Sequence, residues 1–233
     1  MADNQRSQIV EIFSSVQGEG LRIGQRQIFV RFHGCNLECG FCDVDKSKEP
    51  IEFSAKDLLD KIDGLNVNNI HSTVMLTGGE PLLHSGLLKE LLPKIQDRGF
   101  KVYLETNGTL SKELDLVIDY IDILAIDIKL PSVSGNQPYW QEHKDFMQVA
   151  FKKEFFIKVV VSDKLEISDF QKAIDIMKEV SFDIPFVIQP ETKQGSLELN
   201  ISSERLLKLQ EQALSSLNDV RIIPQSHKML GVK

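Results

Sequence analysis

Cys35, Cys39 and Cys42 stand within eight residues in a C-x3-C-x2-C pattern, and the 233-residue chain has no other cysteine. An odd, clustered set of thiols makes a poor disulfide framework and points to metal or redox chemistry in a reducing compartment. Thiolates hold iron–sulfur clusters. Three of them on a four-iron cubane leave one iron without a protein ligand, and an open metal position is where chemistry occurs. Two other readings fit the same loop. A zinc ion would need a fourth ligand, for which His33 is nearest, and free thiols also pack inertly as small hydrophobes. The neighbours Asn36, Glu38 and Gly40 are polar or small, which suits a loop better than a core.

A second segment with chemical potential is Thr77-Gly78-Gly79-Glu80-Pro81. Two glycines let the backbone come close to a ligand, and Glu80 offers a carboxylate to an ammonium group. The plainer reading is a tight turn with a solvated glutamate.

Elements must position these groups. Short β-branched runs alternate with longer amphipathic stretches, a pattern that predicts strands at 28–32 (IFVRF), 72–76, 101–105, 121–126, 154–161, 185–189 and 220–223. Helices are expected at 53–62, with Ser54 as N-cap and Asp57 in the first turn, and at 84–98, where Gly99 ends the helix and Pro93 is a kink point. Further helices are expected at 111–119, opened by a Ser cap, and at 138–151, 167–180 and 203–215. Strand then helix, repeated about six times, implies parallel pairing with right-handed crossovers. The fold class is therefore α/β: a parallel sheet, open or curled into a partial barrel. Functional residues of such sheets collect after the strand C-terminal ends. Five polar segments fall there: the cysteine loop, Gly78-Gly79-Glu80, Thr106-Asn107-Gly108, Asp127-Ile128-Lys129 and Gln189-Pro190-Glu191.

No linker, low-complexity segment or repeat interrupts this pattern, so residues 1–233 are expected to form a single domain. The net charge of −7, with no long Lys/Arg run, argues against nucleic acid as a partner. No apolar run is long enough to span a membrane. The opening MADNQRSQIVEIF has no basic region followed by an apolar core, so a cytoplasmic protein is expected.

The three-cysteine loop, with Phe41 just before its third cysteine, resembles the signature of the radical S-adenosylmethionine superfamily, and Gly78-Gly79-Glu80 resembles its second motif. The N-terminal stretch from Ile12 through Gln17-Gly18-Glu19-Gly20, followed by Phe29-Val30-Arg31-Phe32-His33-Gly34-Cys35, resembles the 7-carboxy-7-deazaguanine synthase family within it. Glu105-Thr106-Asn107-Gly108, Asp127-Ile128-Lys129, Gln189-Pro190 and Pro224-Gln225-Ser226-His227-Lys228 extend the likeness over nearly the whole chain.

The resemblance implies a radical-superfamily partial barrel, a [4Fe–4S] cluster on Cys35, Cys39 and Cys42, and S-adenosylmethionine on its open iron. It implies a lyase that turns 6-carboxy-5,6,7,8-tetrahydropterin into 7-carboxy-7-deazaguanine and ammonia, on the route to queuosine. No side chain is expected to abstract hydrogen; the 5′-deoxyadenosyl radical does so at C6, the ring contracts, and the hydrogen returns. Phe41, Gly78, Gly79, Glu80, Thr106, Asn107, Lys129 and Gln189 are the implied cofactor contacts. Gln17, Gly18, Glu19, Arg31 and His227 are the implied substrate contacts. Glu accepts from two N–H groups, and Gln supplies a donor and an acceptor, as a pterin edge requires; Arg31 can fork onto the substrate carboxylate. Each has a plainer reading: a polar turn at Gln17 and Glu19, a sheet-edge ion pair at Arg31, a solvated tail His227, a surface Lys129 and a hydrogen-bonded strand-end Gln189.

The resemblance further implies Mg²⁺, a homodimer and a low-potential electron donor such as flavodoxin or ferredoxin. One departure stands out. Where the family often carries a Thr or Ser as Mg²⁺ ligand, two residues after the third cysteine, this chain has Val44; the flanking Asp43 and Asp45 could substitute, the substrate could hold most of the ion, or the ion could matter less. Two other functions compete: a glycyl-radical-enzyme activase, which would act on a protein, and a non-catalytic zinc or iron–sulfur module.

Overall fold

The computed structural model describes residues 5–42, 44 and 47–232. A nine-stranded sheet carries the chain. Its strands are β1 (Arg6–Val16), β2 (Arg26–Phe32), β3 (Ile51–Ser54), β4 (Thr73–Gly78), β5 (Lys101–Thr106), β6 (Ile123–Asp127), β7 (Glu154–Val161), β8 (Phe186–Pro190) and β9 (Val220–Ile222). They lie in the order β3-β1-β2-β4-β5-β6-β7-β8-β9. From β2 to β9 every neighbouring pair is parallel, whereas β1 pairs antiparallel with both β2 and β3.

The helices are α1 (Ala55–Leu65), α2 (Ser85–Asp97), α3 (Ser111–Asp115), α4 (Pro131–Ser134), α5 (Trp140–Ala150), α6 (Ile167–Val180), α7 (Ser203–Leu214) and α8 (Ser226–Leu230). Among the described residues, none is long and apolar enough to cross a membrane.

The alternating strand and helix pattern correctly marks the parallel core. It misses β1, the short helices α4 and α8, and β3, whose residues overlap the predicted start of α1. Several boundaries also move by one to three residues, and three shifts change a cap or a helix end. Ser111 lies inside α3, with Leu110 at the cap and no side-chain capping bond, so the expected Ser cap is absent. The helix expected over 111–119 ends at Asp115, and Ile118–Tyr120 form a separate 3-10 turn. His84 caps α2 rather than starting it, and Pro93 lies within that helix.

Ser54, by contrast, caps α1 as expected. Its hydroxyl accepts from the Asp57 amide at 3.2 Å, and the Asp57 carboxylate accepts from the Ser54 amide at 3.0 Å, a reciprocal capping box. Ser54→Ala is expected to lower the unfolding free energy by about 1 kcal/mol. A shifted midpoint at constant m in urea denaturation checks this; an unmoved midpoint would mean that the cap carries no stability.

On the inner face, period-two alternation builds two layers. Phe29, Met75, Tyr103, Ala125, Phe156 and Val187 form a buried apolar floor. Two residues further along each strand stand Arg31, Thr77, Glu105, Asp127, Lys158 and Gln189, which line a cavity of about 1010 Å³. The same cavity reaches Phe13 on β1. In a flat sheet β1 and β7 would lie about 24 Å apart, yet Glu19, three residues past β1, meets Lys158 on β7 at 2.6 Å, so the sheet curls around the cavity. The sheet nonetheless stays open, with β3 and β9 as its edges.

Candidate functional site

The cysteine loop leaves the C-terminal end of β2, and the thiols of Cys35, Cys39 and Cys42 all line the cavity. Neighbouring loops hold it in place. The Gly40 amide donates to the Ser134 carbonyl at 2.8 Å, and the Glu38 amide donates to Asn136 Oδ1 at 3.2 Å. Asn136 Nδ2 donates to Cys39 Sγ at 3.2 Å, the Leu37 amide to Cys35 Sγ at 3.4 Å, and Asn107 Nδ2 lies 3.8 Å from Cys35 Sγ. Hydrogen bonds to cluster sulfurs are among the levers that set cluster potentials. Burial pushes the Cys35 and Cys39 thiols up, so a metal that binds here must displace their protons. Among the described residues, no three His, Cys, Asp or Glu side chains converge on a single metal-ion position. Three thiols spread over one cavity wall fit a multi-iron cluster better than one tetrahedral zinc.

Gly78 and Gly79 bring the turn after β4 against the start of the cysteine loop. The Gly79 amide donates to the Phe32 carbonyl at 3.0 Å, and the Glu80 amide to the Gly34 carbonyl at 2.8 Å. A Cβ on Gly79 would collide with the Gly34 carbonyl, and Gly78 has φ +121°, a conformation open to glycine alone. Glu80 lies behind this turn, fully buried and outside the cavity wall. Its Oε1 accepts from the Leu82 amide at 3.1 Å and from Thr106 Oγ1 at 2.9 Å; its Oε2 accepts from the Asn107 amide at 2.8 Å. Burial raises the Glu80 carboxyl to about 7 against the pull of these bonds. The expected solvated or ligand-facing glutamate is thus a tie between two loops. Thr106 and Asn107 both line the cavity.

Lys129 is no surface lysine. Its Nζ sits 2.8 Å from Asp127 Oδ2 and 5.2 Å from the Phe41 ring centroid. Burial opposes its charge, but the Asp127 carboxylate outweighs that and raises its pKa. Asp127 Oδ1 and Gln189 Oε1 are buried with no hydrogen-bond partner among the described residues, and both residues line the cavity. Orphaned acceptors of this kind await a donor from a ligand or a water.

At the opposite wall, Gln17 Oε1 accepts from the Glu19 amide at 3.0 Å, so the polar-turn reading of this segment is true of the glutamine. Glu19 does more. Its Oε2 accepts from Lys158 at 2.6 Å and its Oε1 from Gln225 at 2.9 Å, with His227 Nδ1 3.9 Å away. Burial would raise the Glu19 carboxyl, but the Lys158 ammonium and these hydrogen bonds hold it down at about 2. Gly18 abuts the His227 ring, and its carbonyl accepts from the Ser226 amide and hydroxyl at 2.9 and 3.1 Å. The C-terminal segment is thereby pinned to the loop after β1, and His227 lines the cavity rather than trailing into solvent. Arg31 has its Nε 4.0 Å from Glu11 and its guanidinium 5.8 Å from the Phe13 ring centroid, facing the same cavity. Asp43 and Asp45 lie outside the described residues, and Val44 lines the cavity.

The curl therefore gathers both groups of expected contacts around one space, Glu80 excepted, with the cysteines on its wall. The sequence places Glu105 and Gln225 in family-like segments without giving them a role, and Lys158 stands in none of its motifs. A charged residue in the apolar run FFIKVVV was a signal for Lys158, since lysine is almost never fully buried unless paired.

The Radical SAM superfamily model matches residues 29–184. A protein from Geobacter sulfurreducens named 7-carboxy-7-deazaguanine synthase is 39% identical, with 97% of each chain covered. One of the same name from Methanothermobacter thermautotrophicus is 33% identical, with 98% of each covered. The chain belongs to the 7-carboxy-7-deazaguanine synthase family, within the radical SAM superfamily. Full-length likeness to lyases of that name leaves no place for the activase or the non-catalytic module. Among solved structures, QueE from Escherichia coli aligns over 94% of each chain at a TM-score of 0.65 and 21% identity. Streptococcus suis SuiB bound to S-adenosylmethionine aligns at 0.60 and 20% identity, over 82% of this chain and 48% of that one. These two share the fold. Membership in the superfamily carries a [4Fe–4S] cluster and S-adenosylmethionine, and the three cysteines on the cavity wall, with N–H donors to Cys35 and Cys39, fit that cluster.

Proposed function

We propose that this protein converts 6-carboxy-5,6,7,8-tetrahydropterin to 7-carboxy-7-deazaguanine and ammonia by radical ring contraction. The observation that carries this reading is Glu19: a carboxylate held ionised inside a cavity that it shares with the three thiols. A pterin amidine edge offers N–H donors to such a carboxylate. Cys35, Cys39 and Cys42 hold the cluster, which with S-adenosylmethionine supplies the hydrogen-abstracting radical. Phe41, the backbone of Gly78 and Gly79, Thr106, Asn107, Lys129 and Gln189 surround S-adenosylmethionine, with Glu80 steadying the Gly78–Gly79 turn and the Asn107 loop behind them. The Lys129 ammonium suits the methionine carboxylate, and the orphaned Gln189 oxygen suits a ribose or adenine donor.

Gln17, Gly18, Glu19 and His227 form the wall against the pterin edge. Arg31, whose ion pair with Glu11 is long at 4.0 Å, turns its fork to the substrate carboxylate. Mg²⁺ is then held mainly by substrate and water, because Val44 has no side-chain oxygen and Mg²⁺ prefers hard oxygen ligands. Residues 1–233 act as one catalytic domain, in a cytoplasmic homodimer reduced by a flavodoxin- or ferredoxin-like donor.

The test is anaerobic reconstitution followed by assay with the tetrahydropterin, reading products by mass spectrometry. Stoichiometric deazaguanine and ammonia are expected. Protein with an intact cluster that cleaves S-adenosylmethionine but never forms the deazaguanine would overturn the substrate assignment.

A further inference from the structure

Lys158 is the most heavily paired cation of the cavity and belongs to none of the motifs above. Its side chain is 5% exposed, and its Nζ lies 2.6 Å from Glu19 Oε2, 2.8 Å from Glu105 Oε1 and 3.3 Å from Asp127 Oδ2. The ammonium donates hydrogen bonds to Glu19 and Glu105 and completes an ion pair with Asp127, so three carboxylates surround it. Burial opposes the charge, yet the Glu105, Glu19 and Asp127 carboxylates outweigh it and raise the Lys158 pKa far above normal. The three partners come from distant parts of the chain: the loop after β1, β5 and β6.

Each partner keeps a second link. Glu19 Oε1 accepts from Gln225 at 2.9 Å, Glu105 Oε2 from Thr77 Oγ1 at 2.9 Å, and Asp127 Oδ2 is shared with Lys129 at 2.8 Å. A single ammonium thus joins the Glu19 wall to the Asp127–Lys129 wall. Without it, three carboxylates would face one another across a poorly solvated space, where like charges repel strongly.

We propose that Lys158 is a positioning residue: a covalently attached internal cation that fixes the Glu19, Glu105 and Asp127 carboxylates in the orientation that receives the N–H edge of the pterin. The inference rests on the substrate reading above and adds what makes that reading geometrically selective. Lys158 contacts neither substrate nor cofactor itself.

The cavity is open to Lys158, so a small amine can enter the space left by truncation. In Lys158→Ala, the tetrahydropterin Kd, measured without reductant, is expected to rise at least about tenfold, the scale of a charged hydrogen bond. The S-adenosylmethionine Kd should change by less than the pterin Kd, because Asp127 keeps Lys129 at 2.8 Å, and the iron content should stay near wild type. Added methylammonium should restore most of the pterin affinity and turnover to Lys158→Ala. It should do nothing for wild type or for Lys158→Met, whose side chain fills the space without charge.

An unchanged pterin Kd in Lys158→Ala would overturn the proposal, as would a loss that methylammonium leaves untouched. If the alanine variant does not fold, an unchanged pterin Kd in Lys158→Met overturns it equally. Wild-type protein separates the two levels. Failure of intact wild type to bind and convert the pterin sinks the substrate reading, whereas a converting wild type beside an unaffected Lys158→Ala sinks only the role of Lys158.

Discussion

Cys39→Ala protein is expected to show no S-adenosylmethionine cleavage above background, and Cys35→Ala and Cys42→Ala the same. The reason lies in ligand number. A four-iron cubane on three thiolates has one iron free for the cofactor; with two thiolates the protein no longer holds the cluster in one orientation. His33 and Glu38 supply no converging substitute among the described residues. Asn136 gives the contrast. It donates to Cys39 Sγ at 3.2 Å and accepts from the Glu38 amide at 3.2 Å, so it orients a ligand without being one. Loss of such an outer partner typically costs about 10–100-fold in metal affinity or activity, and Asn136→Ala should fall in that range with its cluster still visible by absorbance. Full cleavage activity in Cys39→Ala would refute the cluster assignment.

Glu19→Ala and Arg31→Ala are expected to weaken pterin binding by roughly 10–150-fold each, the equivalent of about 1.5–3 kcal/mol for a hydrogen bond to a charged group. S-adenosylmethionine affinity should change far less, because among the described residues neither Glu19 nor Arg31 is paired directly with Lys129 or Gln189. Removing Glu19 does not strand Lys158, which keeps Glu105 at 2.8 Å and Asp127 at 3.3 Å. The loss therefore reports on the substrate rather than on a buried orphan charge, which on its own would cost about 3–5 kcal/mol. Arg31→Lys should recover only part of the affinity, since an ammonium lacks the planar fork. Parallel titrations with the tetrahydropterin and with S-adenosylmethionine decide the matter. Equal losses for both ligands would make these residues structural, and no loss for either would return them to a polar turn and a sheet-edge ion pair.

Much of this architecture is legible along the chain because it is local. The cysteine spacing, the paired glycines and the Ser54 capping box each depend on residues a few positions apart, and the structure places them as their chemistry requires. Alternation of strand and helix identifies the parallel core for the same reason, since amphipathic periodicity is a property of consecutive residues. The polar segments after β2, β4, β5, β6 and β8 share one end of the sheet, as parallel topology dictates.

What the sequence by itself determined, then, is the set of reactive groups, the parallel core and the end of the sheet at which those groups meet. What only the tertiary structure decided is how they face one another. Strand β1 escaped because its antiparallel place on β2 depends on pairing across the chain, not on its own pattern. Glu80 reads as a ligand for an ammonium, but the approach of the Thr106–Asn107 loop turns its carboxylate inward. Lys158, Glu105 and Asp127 occupy three neighbouring strands, and nothing in any one of those strands says that the pairing register puts both carboxylates within 3.3 Å of the Lys158 ammonium or that the curl of the sheet adds Glu19. Pairing of charges is set by register and curvature, which arise from the packing of the apolar floor beneath them and so belong to the whole sheet.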